Sequence, residues 1–148
     1  MPQSLVKIYG HLIFSTKNRQ NIFREDDLAD VHAYIARSFN NAGSPALAVG
    51  GTQNHVHVLF MASRTTALAK TVECIKRGTS KWLKTKALCY AHFAWQEGYG
   101  AFSVSCSRVN AVRRYIQNQE KHHLAMSFAD ELKKFCDEYG VKYDERYW

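Results

Sequence analysis

Two short patterns in this 148-residue chain combine residue types able to do chemistry. The first is His55-Val56-His57, inside the run HVHVLF. Strand side chains alternate, so both imidazoles leave one face while Val56, Val58 and Phe60 leave the other. Two neutral imidazoles side by side begin a divalent metal site. The same pair also suits a partly exposed sheet face on which each histidine bonds neighbours or water. The second pattern is Tyr115-Ile-Gln-Asn-Gln119. At positions i and i+4 of a helix Tyr115 and Gln119 stand on one face, with His122 a further turn along. A tyrosine so placed is commonly a packing residue with its hydroxyl in water, and Arg113 and Arg114 beside it read equally well as surface charge. Taken together, the two patterns define a reaction. A phenol, with pKa near ~10, is a poor nucleophile at neutral pH. Its attack on a phosphodiester becomes feasible when a divalent ion neutralises and polarises the phosphate, and the bond energy is then kept as a phosphotyrosine ester.

Positioning these groups requires a framework that the rest of the sequence describes. LVKIYGHLIFST, residues 5–16, alternates with Val6, Ile8, Leu12 and Phe14 on one side, which predicts a half-buried strand. Residues 25–41 open with acids and place Leu28, Val31, Ile35 and Phe39 at helical spacing before Gly43 and Pro45. Residues 46–52 and 55–62 predict two strands joined by a short Gln-Asn turn. From Thr65 to Lys86 an apolar stripe of Leu68, Val72, Ile75 and Trp82/Leu83 predicts an amphipathic helix with a basic outer face, interrupted at Gly78. Aromatic strand pieces are expected over 91–106, around Gly98-Tyr99-Gly100. A third helix over roughly 108–123, capped by Ser105 or Ser107, carries Tyr115. A short acidic helix over 128–139 and an aromatic tail end the chain. The order β-α-β-β-α-β-α predicts an α+β fold, an antiparallel sheet with helices packed on it.

Length predicts one domain, residues 1–148, with a core that needs no metal or disulfide to hold it. The charge is +7, from 20 Lys+Arg against 13 Asp+Glu, and it is segregated. Residues 1–24, 64–86 and 108–121 together carry a net +13 and the remainder −6. Such segregation suits one anion-binding side or a set of solvated helix faces. Lys17, Arg19, Lys76, Arg77, Lys81, Arg113 and Arg114 are the candidate phosphate contacts; Trp82, Trp95, Tyr99 and Phe102 are able either to stack bases or to fill a core or dimer interface. Cys74, Cys89, Cys106 and Cys136 form no C-x-x-C pair and read as free thiols of a reducing compartment. With no apolar run long enough to span a membrane and no signal peptide, a cytoplasmic protein is expected.

Four segments together carry a resemblance: Tyr9-Gly-His-Leu-Ile-Phe-Ser-Thr-Lys17, His55-Val-His57, Trp95-Gln-Glu-Gly-Tyr-Gly-Ala-Phe-Ser-Val-Ser105 and Tyr115-x-x-x-Gln119. In these the chain resembles the single-tyrosine HUH (His-hydrophobic-His) transposases of small bacterial insertion sequences with hairpin ends, including their repeat-associated relatives. The resemblance covers most of the chain. It implies a ferredoxin-like, RRM-like HUH nuclease fold and one transposase catalytic domain. It implies that Tyr115 is the nucleophile, forming a 5′-phosphotyrosine link to single-stranded DNA and leaving a free 3′-OH. It further implies His55, His57 and Gln119 as ligands of Mg²⁺, with Mn²⁺ able to substitute. The expected partners are single-stranded DNA bearing hairpins and a second copy of the chain, whose tyrosine helix is able to complete the first copy's His pair; no nucleotide cofactor is needed. Asn54 stands where relatives often have an acid, and His122 and His123 are open as further ligands or phosphate contacts. Three other readings stay in view: a domesticated relative that processes dispersed repeat hairpins, a non-catalytic single-stranded nucleic-acid-binding module, and a metal hydrolase that activates water and forms no covalent adduct.

Overall fold

The computed structural model describes residues 2–147. It shows the expected α+β architecture: strands β1 (Tyr9–Ser15), β2 (Ala46–Gly51), β3 (His55–Met61) and β4 (Gly100–Val104) form an antiparallel sheet in the order β2-β3-β1-β4. Helices α1 (Leu28–Asn41) and α2 (Leu68–Lys86) cover one face; α3 (Val109–Gln117), α4 (Gln119–His122) and α5 (Phe128–Tyr139) lie on the other. Alternation along the two central strands feeds both layers. Leu12, Phe14, Val56, Val58 and Phe60 point into a core with Val31, Ile35, Phe39, Val72 and Ile75. Ile13 points the other way, onto Phe102, Phe128 and Leu132, and His11, His55 and His57 are buried with it. Each large apolar side chain so buried contributes roughly 1.5–3 kcal/mol.

Several sequence expectations are corrected. The first strand begins at Tyr9 rather than Leu5, because the pairing runs out there: Tyr9 is opposite both Met61 and Val104, and Leu5 and Ile8 are exposed. It is also buried on both faces rather than half-buried, since helices cover both. Helix α2 runs unbroken through Gly78, whose carbonyl accepts a hydrogen bond from the Tyr34 hydroxyl at 3.3 Å. Of residues 91–106 only 100–104 form a strand, with Trp95 making a single bridge to Thr16. The third helix is split at Asn118 and starts without a serine cap; Ser105 and Ser107 bond each other instead. The last helix matches its expected bounds, opened by Ser127 Oγ accepting from the Asp130 N–H and closed by Gly140 at φ 66°. All four cysteines are free. No helix among the described residues is long and apolar enough to cross a membrane.

One buried polar cluster ties α1 to α2 and the loop after it. The Tyr90 hydroxyl, in a fully buried ring, donates to Asp27 Oδ2 at 2.5 Å and accepts from the Arg24 N–H at 3.1 Å. That hydrogen bond, with the Arg24 guanidinium, holds the Asp27 carboxyl below its ordinary pKa. Tyr90→Phe is expected to cost about 1–3 kcal/mol in urea denaturation at neutral pH, the range for a charge-assisted hydrogen bond. A carboxyl with a lowered folded-state pKa stabilises above its unfolded value and loses that contribution as pH falls through the folded one. The gap between variant and parent therefore narrows in acid.

Candidate active site

The face of the sheet under α3 to α5 gathers the chemically interesting side chains. His55 and His57 project from β3 onto this face, as their spacing requires. The break at Asn118 keeps Gln119 one turn above Tyr115 while turning it inward, so that its amide is buried and its Oε1 reaches 3.0 Å from His55 Nε2 across 64 residues of sequence.

The hydrogen-bond network fixes which atoms face each other in this contact. Asn54 Nδ2 donates to the Arg19 carbonyl at 3.3 Å, which aims Asn54 Oδ1 at His55 Nδ1, 2.7 Å away. The His55 proton therefore sits on Nδ1 and leaves Nε2 with a bare lone pair. Gln119 Nε2 donates to Glu131 Oε2 at 3.1 Å, so Gln119 Oε1 also faces His55 with a lone pair. Burial, above all, lowers the His55 pKa to about 3, which keeps a second proton off the ring. With the proton on Nδ1, the His55 Nε2 and Gln119 Oε1 lone pairs face each other at 3.0 Å, an arrangement that a divalent ion fits. Asn54, in the position where an acid was expected, supplies the same orienting acceptor.

A residue that sequence reasoning missed occupies the centre. Glu131 of α5 is 1% exposed. Its Oε1 lies 2.9 Å from His57 Nε2, 3.0 Å from His123 Nε2 and 3.6 Å from His55 Nε2. Its Oε2 accepts a short hydrogen bond from the Tyr115 hydroxyl and lies 3.2 Å from His122 Nε2. Burial alone would raise the pKa of this carboxyl, but the hydrogen bonds from His123, His57 and Tyr115 outweigh it and hold the group ionised. Tyr115 is shifted the other way, upward, by burial first and then by Glu131. His11 of β1, also missed as a site residue, places Nε2 2.7 Å from His57 Nδ1, and burial lowers its pKa to about 3. It is the partner that orients the His57 ring. The ring of His55 is stacked on Phe128, 4.4 Å between centroids.

Close helix-to-sheet contact sets the height of Tyr115 above the histidines. Gly50, paired with His57 across the sheet, lies directly under α3. A Cβ there would collide with the Ile116 carbonyl oxygen and come within 3.1 Å of its carbon. Gly50→Ala must therefore lift the residue next to Tyr115. A displacement near 1 Å costs about 10²-fold in the rate of a reaction that depends on such a group, so we expect a variant that folds, by circular dichroism, but loses about that much of any activity that runs through Tyr115.

Tyr115 opens onto a cleft of about 380 Å³ whose lining includes His11, Ser105, Arg108, His122 and Lys134. His123 faces a second cleft, of about 620 Å³, on the opposite side of the cluster. The candidate phosphate contacts do not converge as fully. Lys17, Arg77, Lys81 and Arg114 are exposed, and Arg77 pairs with Glu73 at 2.9 Å. Lys76 is committed to the fold, donating to the Gln96 and Gly98 carbonyls at 2.8 and 2.9 Å. Arg19 is half-buried at positive φ, and Arg113 is half-buried with its Nε unpaired. Among the aromatics, Phe102 is core, while Trp82, Trp95 and Tyr99 pack partly against the core of the opposite layer.

Comparison with known proteins places the chain in a family of DNA-processing proteins. The family described as "Transposase IS200 like" matches residues 4–119, and the chain belongs to that family. Among solved structures, a Deinococcus radiodurans R1 protein described as a candidate transposase superposes with a TM-score of 0.62 at 20% identity, covering 80% of this chain and 98% of that one. A REP-associated tyrosine transposase bound to a REP hairpin superposes with a TM-score of 0.60 at 12% identity, over 83% of this chain and 73% of that one. At these identities the likeness is one of fold. No match is found among curated proteins.

Proposed function

We propose that the chain is one catalytic domain that cuts and rejoins single-stranded DNA through Tyr115. The observation carrying this reading is the convergence of Tyr115, Gln119, His55 and His57, from the three elements α3, α4 and β3, on one buried carboxylate. In the reaction the Tyr115 oxygen attacks a phosphodiester, the bond from tyrosine to phosphorus forms, and the bond to the 3′ oxygen breaks. A 5′-phosphotyrosine and a free 3′-OH result, and attack by a 3′-OH reverses the step without ATP. His55, His57 and Gln119 are the donors that would hold a divalent ion, Mg²⁺ with Mn²⁺ as substitute. Bound there, such an ion supplies neutralisation and polarisation of a phosphate oxygen. Glu131 Oε2 and His122 Nε2, the latter 3.3 Å from the hydroxyl, hold the phenol in place and are the nearest acceptors for its proton. Arg108 and Lys134 line the cleft through which a phosphodiester reaches Tyr115. Lys17, Arg19, Arg77, Lys81, Arg113 and Arg114 extend the phosphate contacts along the strand.

Hairpin-bearing DNA is the substrate class we infer, supported by the family and by the hairpin bound to the REP-associated neighbour. We infer a homodimer because strand exchange at two ends needs two tyrosines, and a cytoplasmic setting because the substrate is DNA; within one copy the Tyr115 ring lies 5.9 Å from that of His57. The test is incubation with end-labelled, hairpin-containing single strands and Mg²⁺ or Mn²⁺, followed by denaturing electrophoresis. A protein-linked labelled band supports the reading. Cleavage without such a band points to a water-activating hydrolase, and binding without cleavage to a non-catalytic module.

A further inference from the structure

The family match ends at residue 119, yet two of the donors nearest the candidate ion position come from beyond it. His55, His57, His123 and Glu131 offer ligand atoms that all lie within 4.8 Å of one another. Three Nε2 atoms, of His55, His57 and His123, fan around the single oxygen Oε1 of Glu131 at 3.6, 2.9 and 3.0 Å. The other oxygen, Oε2, is turned to Tyr115 and Gln119. A buried carboxylate ordinarily pairs with a lysine or arginine, because leaving its charge uncompensated is costly. Here the ion-pair partners among the described residues are all histidines: His55, His57, His122 and His123.

We propose that this chain's ion site takes Glu131 and His123 as ligands alongside His55 and His57, and that this imidazole-rich set binds Mn²⁺ or Co²⁺ in preference to Mg²⁺. The inference rests on the metal reading given under the proposed function and changes its ligand set and its ion. The chemistry of the donors carries it. Mg²⁺ demands octahedral oxygen ligands and keeps its waters, whereas imidazole nitrogens hold first-row transition ions more strongly, Mn²⁺ the weakest of them and Co²⁺ more tightly. Three imidazoles and one carboxylate form a set of the second kind. The carboxylate then serves two neighbours, with Oε1 toward the ion and Oε2 toward the nucleophile. Helix α5, docked on the sheet through Phe128, Leu132 and Cys136, becomes a part of the site rather than a cover over it.

The test is calorimetric titration of the full chain with MnCl₂, CoCl₂ and MgCl₂ in the absence of DNA, with the visible Co²⁺ absorption as a second readout. One Mn²⁺ per chain is expected, bound at least about tenfold more tightly than Mg²⁺. Glu131→Gln is expected to weaken all three ions by about tenfold or more. His123→Gln, at a partly exposed position whose change spares the core, is expected to weaken Mn²⁺ and Co²⁺ to that extent, leave Mg²⁺ nearly unchanged and alter the Co²⁺ spectrum. Circular dichroism establishes that each variant is folded, and if Glu131→Gln is not, His123→Gln decides. If Mn²⁺ and Mg²⁺ bind equally, or the folded variants match the parent, this inference fails while the metal-dependent reading stands. If the parent binds no ion, both fail.

Discussion

Tyr115→Phe is expected to abolish the covalent DNA–protein adduct and to lower strand cleavage on the order of 10⁴-fold or more, as removal of a nucleophile does in other covalent mechanisms. The substitution deletes one oxygen and little else. The ring stays among His11, His57 and Phe135, at centroid distances of 6.2, 5.9 and 5.9 Å, so its packing is retained. Glu131 loses one donor but keeps His57, His123 and Gln119. The stability cost is therefore about 1–3 kcal/mol, the range for a charge-assisted hydrogen bond. Ion binding measured by calorimetry is expected to persist, because the hydroxyl bonds to the glutamate oxygen that faces away from His57 and His123. A labelled band that still travels with the Phe variant on a denaturing gel would show that another group attacks the phosphate.

The sheet and the first-named chemistry were legible because each rests on a local rule. Period-two alternation gave β1 and β3, helical spacing gave α1 and α2, and the HxH spacing fixed both imidazoles on one face. What escaped was set by tertiary contacts. Leu5 to Ile8 continue the alternation of β1, yet no strand lies opposite them. Asn118 carries no breaker signal, but the chain turns there and brings Gln119 under α5. Glu131 is the clearest case. In sequence it is one acid of an acidic helix; its position, three residues after Phe128 and one before Leu132, places it beside the buried stripe of α5. An acid flanking an apolar stripe was the available signal, and only the proximity of the His pair gives it meaning. His11 is similar, an alternation-phase neighbour of Ile13 whose partner, His57, lies 46 residues away.

This geometry links the sheet to Tyr115 through a chain of contacts. His11 orients His57, His57 bonds Glu131, and Glu131 holds Tyr115. On the other side Asn54 orients His55, which faces Gln119. Both branches are anchored on rigid elements, β1 and β3 below and α5 above, while the connecting turns only aim the groups. Changes at the branch points therefore act on several partners together, and their effects should not add.

His57→Ala is expected to be the most damaging change at such a branch point, lowering cleavage by about 10³-fold and stability by about 3 kcal/mol. The stability figure combines the cavity left by a fully buried ring with two broken contacts, to His11 at 2.7 Å and Glu131 at 2.9 Å. For a chain of this size it corresponds to a fall in Tm of roughly 6–12 °C. The rate figure follows from losing the several kcal/mol that ion-assisted charge neutralisation supplies, and from freeing Glu131 to rotate, which loosens Tyr115. The two losses separate by temperature: cleavage is measured well below the variant's own Tm, where circular dichroism shows it folded. Ion affinity, titrated under the same conditions, is expected to fall in parallel with the rate. A folded His57→Ala protein that cleaves within about tenfold of the parent would remove His57 from the reaction and leave it as the ring that holds His11 and α5 together.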